Sequence, residues 1–160
     1  MKKGIKKLMI IVLFVLTSSF STASSRVNRI IDQIRKDYAE ANVEQNYTVR
    51  TTKSSGGYTV RKYLKNSIVK KIIIIYYEDG DKTVQEQYIK NGKPYFIVES
   101  SMESMGKKRD VPLSHRYYYD PDGILIRYID EEGYIHEDEE VMVEIDSDME
   151  EYWNSVIGNY

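Results

Sequence analysis

The chain predicts an α+β fold: an N-terminal amphipathic helix packed on one face of a meandering antiparallel sheet of about seven or eight strands, followed by a short C-terminal helix. Three observations carry this. Lys71-Ile72-Ile73-Ile74-Ile75-Tyr76-Tyr77-Glu78-Asp79-Gly80 is a β-branched and aromatic run that stops at an Asp-Gly turn. The same logic returns at Arg116-Tyr117-Tyr118-Tyr119-Asp120-Pro121-Asp122-Gly123. Upstream, Val27, Ile30, Ile31, Ile34, Tyr38 and Ala41 fall at i, i+3, i+4, i+7, i+11 and i+14, which draws one apolar stripe along a helix.

The first residues have the layout of an export signal. Lys2, Lys3, Lys6 and Lys7 precede the apolar stretch Leu8 to Leu16, and Ser21-Thr22-Ala23 is a small-x-small cleavage pattern. The apolar core is too short for a membrane span, which needs about 20 residues. Residues 1–23 are therefore expected to be a signal peptide cleaved after Ala23, with an uncleaved anchor as the alternative. Residues 24–160 are expected to form a single domain that is secreted or periplasmic and makes no stable membrane insertion. With no cysteine in the chain, a disulfide framework and a lipid anchor on cysteine are both excluded.

Ser24 and Ser25 offer N-cap hydroxyls for the helix. Its polar face carries Arg29, Asp32, Arg35, Lys36 and Glu40, and the pattern ends near Glu44. From Tyr47 the period changes to that of a strand. Tyr47 to Thr52 and Tyr58 to Leu64 flank Gly56-Gly57 and read as a hairpin. Lys65-Asn66 makes the next break. The consecutive isoleucines of Ile68 to Tyr77 place apolar groups on both faces, so this strand belongs inside the sheet, covered at least partly on two sides. Lys82 to Lys90 returns, Asn91-Gly92 is a two-residue hairpin turn, and Lys93 to Ser100 follows, with Tyr95 and Ile97 expected opposite Phe96 and Val98.

Ser101 to Pro112 reads as a loop carrying the basic run Lys107-Lys108-Arg109. Leu113 to Asp120 and Ile124 to Asp130 flank the turn Asp120-Pro121-Asp122-Gly123, and Asp130-Glu131-Glu132-Gly133 turns the chain again. Tyr134 to Ile145 is expected as a last strand with an acidic interruption. Ser147-Asp148-Met149-Glu150 fits a capping box that would start the C-terminal helix.

The segments Tyr-Tyr-x-Asp-Gly near residue 76 and Tyr-Tyr-Asp-Pro-Asp-Gly near residue 118, each followed by another strand and a glycine turn, resemble the hairpin repeats of the MORN-like type over roughly Ile72 to Tyr134. The layout also resembles a group of small secreted bacterial proteins that share an export signal, a helix ending in Ala-Glu-Ala (Ala39-Glu40-Ala41) and a late Tyr-Tyr-Asp-x-x-Gly-x-Leu hairpin (Tyr118 to Leu125). These resemblances imply the fold and the compartment. They imply no catalytic residues and no cofactor.

Catalytic signals are sparse. The two histidines, His115 and His136, lie in strand-like runs, and neither neighbours a nucleophile elbow. Two His without Cys give no zinc spacing, and no glycine-rich phosphate loop occurs. Asp120-x-Asp122-Gly123 and Asp79-Gly80-Asp81 could offer oxygens to calcium, but the twelve-residue loop pattern is incomplete, so they read as turn residues. No cofactor and no metal site are expected.

Charge is segregated. Ser24 to Ile129 holds 19 Lys and Arg against 13 Asp and Glu, whereas Asp130 to Tyr160 holds 12 acids and no Lys or Arg. The acidic end either lies over the basic part of the sheet or faces a basic partner. Export and net negative charge disfavour nucleic acid. One helix covers one face of a sheet, so the second face would show Tyr77, Tyr117 and Tyr119, with Arg127 and Tyr63, as a rigid tyrosine platform. The expected function is a non-enzymatic binding module for a protein, peptide or glycan, acting through that face or through the loop with Lys107, Lys108 and Arg109. The alternatives are a small hydrolase using His115 or His136, and a structural envelope protein that dimerises through a sheet edge.

Overall fold

The computed structural model describes residues 25–53, 57–78, 81–102 and 113–156. Helix α1 spans residues 25–43. Eight strands follow: β1 (Thr48–Lys53), β2 (Thr59–Lys65), β3 (Ile68–Glu78), β4 (Asp81–Lys90), β5 (Lys93–Met102), β6 (Leu113–Tyr119), β7 (Leu125–Ile129) and β8 (Ile135–His136). Helix α2 (Glu139–Val156) comes last. The strands form one sheet in the order β1 to β8, with every neighbouring pair antiparallel. This is the α+β meander that the sequence predicts. The expected signal segment 1–23 and the basic run at Lys107, Lys108 and Arg109 lie outside the described residues. No helix among the described residues is long and apolar enough to cross a membrane.

Turn chemistry sets the meander. Asn91 and Gly92 both take positive φ, at 55° and 79°, the conformation a tight two-residue hairpin needs to match strand twist. Asn66 and Ser67 do the same at 52° and 64°, where the sequence reads only as a break. The turns after β6 and β7 are copies of each other. The Asp120 carboxylate accepts the backbone N–H groups of Asp122 and Ile124 at 2.9 and 3.0 Å. The Asp130 carboxylate accepts those of Glu132 and Tyr134 at 3.0 and 2.8 Å. In each turn the Gly N–H closes onto the aspartate carbonyl, at 3.0 Å for Gly123 and 3.1 Å for Gly133. The first carboxylate therefore acts as a turn residue.

The α1 stripe packs on one face of the sheet. Ile31 and Ile34 are buried with Tyr88, Phe96, Tyr118 and Ile129, flanked by half-buried Val27, Ile30 and Ala41. Tyr38 completes the row, edge-on to Tyr88 and Phe96 with ring centroids 4.9 and 5.2 Å away. Strand β3 is interior, between β2 and β4, and Ile74 is fully buried.

The other face is not open as expected. Helix α2 lies on it, burying Met142 and Met149 against Ile97, Tyr117, Tyr119 and Leu125. The helix also begins earlier than the Ser147 capping box suggests. Asp138 is its N-cap, accepting the N–H groups of Glu140 and Val141 at 3.1 and 3.4 Å, and Glu139 and Glu140 sit in the first turn, where acids favour the helix dipole. The alternation of Val141, Val143 and Ile145 suggests a strand. The wider spacing of Met142, Ile145 and Met149 is a helical stripe, and it is these residues that meet the sheet. The last strand is accordingly only Ile135–His136.

Candidate functional site

Three register shifts interrupt an otherwise regular ladder. Tyr63 pairs with Lys71 and Leu64 with Val69, so Lys70 is the extra residue on β3. Tyr88 pairs with Phe96 and Ile89 with Pro94, which makes Tyr95 the extra residue on β5. Tyr118 pairs with Arg127 and Tyr119 with Leu125, leaving Ile126 extra on β7. A bulge re-aims the side chain it frees. Tyr95 was expected beside Ile97, yet it packs with the α1 cluster, its ring 6.2 Å from that of Tyr88. Pro94 sits next to this bulge, where a missing ladder donor is tolerated.

The re-aimed Tyr95 forms part of a groove of about 520 Å³ between α1 and the turns that end β4 and β6. The α1 wall carries Arg26, Arg29, Gln33 and Asp37 beside Ile30 and Ile34. The opposite wall is Lys90, Lys93, Pro94 and Tyr95, and Tyr119 to Pro121 close one end. Its floor is apolar and its rim is cationic. Both carboxylates in its lining are already engaged. Asp37 takes hydrogen bonds from Lys90 at 2.6 Å and from Gln33 at 2.8 Å. Burial alone would raise its pKa, but those two bonds together hold it below the usual carboxylate value. Asp120 is held by its own turn. Lys93 donates to the Asp122 carbonyl at 2.6 Å, tying the two turns together. Gly123, at φ 84°, lies under that lysine, and an added Cβ would stand 3.1 Å from Lys93 Cδ.

The residues expected to make a tyrosine platform do not share a face. Tyr117 and Tyr119 are buried beneath α2. Burial, followed by nearby acids, raises both hydroxyls above the ordinary tyrosine pKa, and Tyr119 bonds Asp146 on α2. Tyr77 is 68% exposed, on the α1 side by its register. Tyr63 is also on the α1 side, edge-on to Tyr47 at 5.9 Å. Arg127 points to α1 as well, bonded to Asn28 at 3.1 Å and paired with Glu137. Comparison with family models, with curated proteins and with solved structures returns no match. The groove must therefore be read from its own chemistry.

The two histidines are brought together. His115 Nδ1 lies 2.6 Å from the Tyr128 hydroxyl, His136 Nε2 lies 2.8 Å from the Asp130 carboxylate, and both rings stack on Tyr128 with centroids 5.8 and 5.4 Å away. The row continues through Glu99, cross-strand from His115, to Gln85, which donates to it at 2.8 Å. Among the described residues no group of three or more potential metal ligands is assembled. Sequence spacing could not find the groove, because its tyrosine depends on a bulge and its two walls lie far apart in the chain. The visible signals were Asn91-Gly92 and Asp120 to Gly123, which fix the turns that frame it.

Proposed function

We propose that this chain is an exported, non-enzymatic binding module that holds an acidic peptide segment of a partner protein in the groove beside α1. One observation carries the reading: Arg26 and Arg29 edge an apolar floor whose own carboxylates are already bonded, Asp37 by Lys90 and Asp120 within its turn. An apolar side chain of the peptide would cover Ile30, Ile34 and Tyr95, while its carboxylates meet the arginine forks. A groove of this size sits within the common range for ligand sites, roughly 300–1,000 Å³. Export rests on the Lys-rich start, the short apolar core and the Ala23 cleavage pattern.

The test is fluorescence anisotropy with a labelled capped peptide, Leu-Asp-Phe-Glu-Asp, against its Lys-for-acid counterpart. Saturable binding of the acidic peptide is expected, weakening as salt rises. Arg26→Glu or Arg29→Glu should each cost about tenfold or more in affinity, the scale of one charge-assisted bond. Equal binding of both peptides, or indifference to both substitutions, would overturn the proposal.

A further inference from the structure

On the other side of α1, a second recess is lined by an arginine whose Nε has no acceptor. Arg116 lies on β6, cross-strand from Val98 on one side and Ile129 on the other, so it rises from the sheet toward α1. Its Nε is buried and has no hydrogen-bond partner. Arginine cannot shed its charge, and a buried donor on a cation is costly to leave unmatched. The recess in front of it has a volume of about 280 Å³ and is lined by Ile34, Arg35, Tyr38, Phe96, Val98 and Tyr118. Its walls are aromatic: the Phe96 ring packs against Tyr118 at 4.8 Å and against Tyr38 at 5.2 Å. A second cation, Arg35, stands at the mouth, where its bond to Asp32 is solvent-exposed and therefore weak.

We infer that this recess is a binding site for a small aromatic carboxylate, with the carboxylate accepting from the Arg116 guanidinium and the ring lying among Tyr38, Phe96 and Tyr118. The planar guanidinium fork matches a carboxylate with two parallel bonds, and a flat ring suits a wall of flat rings better than a branched aliphatic body does. Among the described residues the lining contains no acid: Ile34, Phe96 and Val98 are apolar, and Asp32 lies outside it. The inference does not rest on the groove at Arg26 and Arg29, which occupies the opposite side of the α1 stripe. The carboxylate could arrive on a free acid or at the C-terminus of a peptide, and these share one chemistry.

The direct readout is the Arg116 Nε–H resonance in a nitrogen-correlated NMR spectrum of the protein, titrated with benzoate. Acetyl-phenylalanine, whose carboxylate stands in for a peptide terminus, is titrated in parallel, and benzyl alcohol serves as the neutral control. The resonance is expected to shift downfield and exchange more slowly as benzoate saturates, or as acetyl-phenylalanine does if the terminus is the true source. Arg116→Lys keeps the charge but loses the fork, so its affinity should fall about tenfold. Arg26→Glu should leave the titration unchanged. Benzyl alcohol binding as well as benzoate, or an Arg116 signal that moves with neither acid, would each overturn the inference.

Discussion

At the scale of single residues, the aspartates that open the two matched turns have a measurable role. Asp120 and Asp130 each satisfy two backbone N–H groups that would otherwise depend on water. Asp120→Ala should lower stability by about 1–2 kcal/mol, the cost of losing comparable caps, whereas Asp120→Asn, which keeps the acceptor, should cost less. Urea unfolding of the two variants checks the order. Buried tyrosines set the alkaline limit. Burial and nearby carboxylates hold Tyr88, Tyr117 and Tyr119 above the ordinary value of 10.0. The folded chain therefore keeps protons that the unfolded chain releases near that pH. Stability should be intact below it and fall as pH rises above it. Tyr117→Phe should be nearly neutral at pH 7 and should flatten that fall, as read from urea midpoints between about pH 8 and 11.

At the scale of elements, α2 decides what the second face of the sheet can do. It starts at the Asp138 cap and puts Met142 and Met149 over Tyr117 and Tyr119. Asp138→Ala should cost about 1 kcal/mol and sharpen acrylamide quenching of tyrosine emission as the helix start frays. Equal quenching with unchanged stability would show that another group caps the helix. The strands and α1 were legible in the sequence because each repeats one simple period over many residues. Four consecutive isoleucines state burial on two faces, and the stripe from Val27 to Ala41 states a helix on one. The start of α2 was not legible, because Val141, Val143 and Ile145 satisfy a strand period while Met142, Ile145 and Met149 satisfy a helix period. Only the sheet face already holding Ile97 and Leu125 selects between them. The bulge at Tyr95 was hidden for a related reason: an extra residue in a ladder is a relation between two strands, and one strand's sequence does not contain it.

At the scale of the molecule, two helices cover parts of opposite faces of one meander, and charge is sorted between its ends. Arg127 with Glu137 is one ion pair that joins the two parts, and His136 with Asp130 is one within the acidic stretch from Asp130 onward. Of the cations around the groove, Lys90 is paired with Asp37 and Lys93 with the Asp122 carbonyl, while Arg26 and Arg29 stand exposed beside the apolar floor. An electrostatic partner is drawn to such a surface faster and more selectively than to a neutral one. The most direct test labels the isoleucine δ1 methyls and adds the capped acidic peptide Leu-Asp-Phe-Glu-Asp to saturation. The account predicts that the Ile30 and Ile34 methyl signals shift with the binding curve while the fully buried Ile74 signal stays in place. Saturable binding with Ile30 and Ile34 unmoved would contradict it.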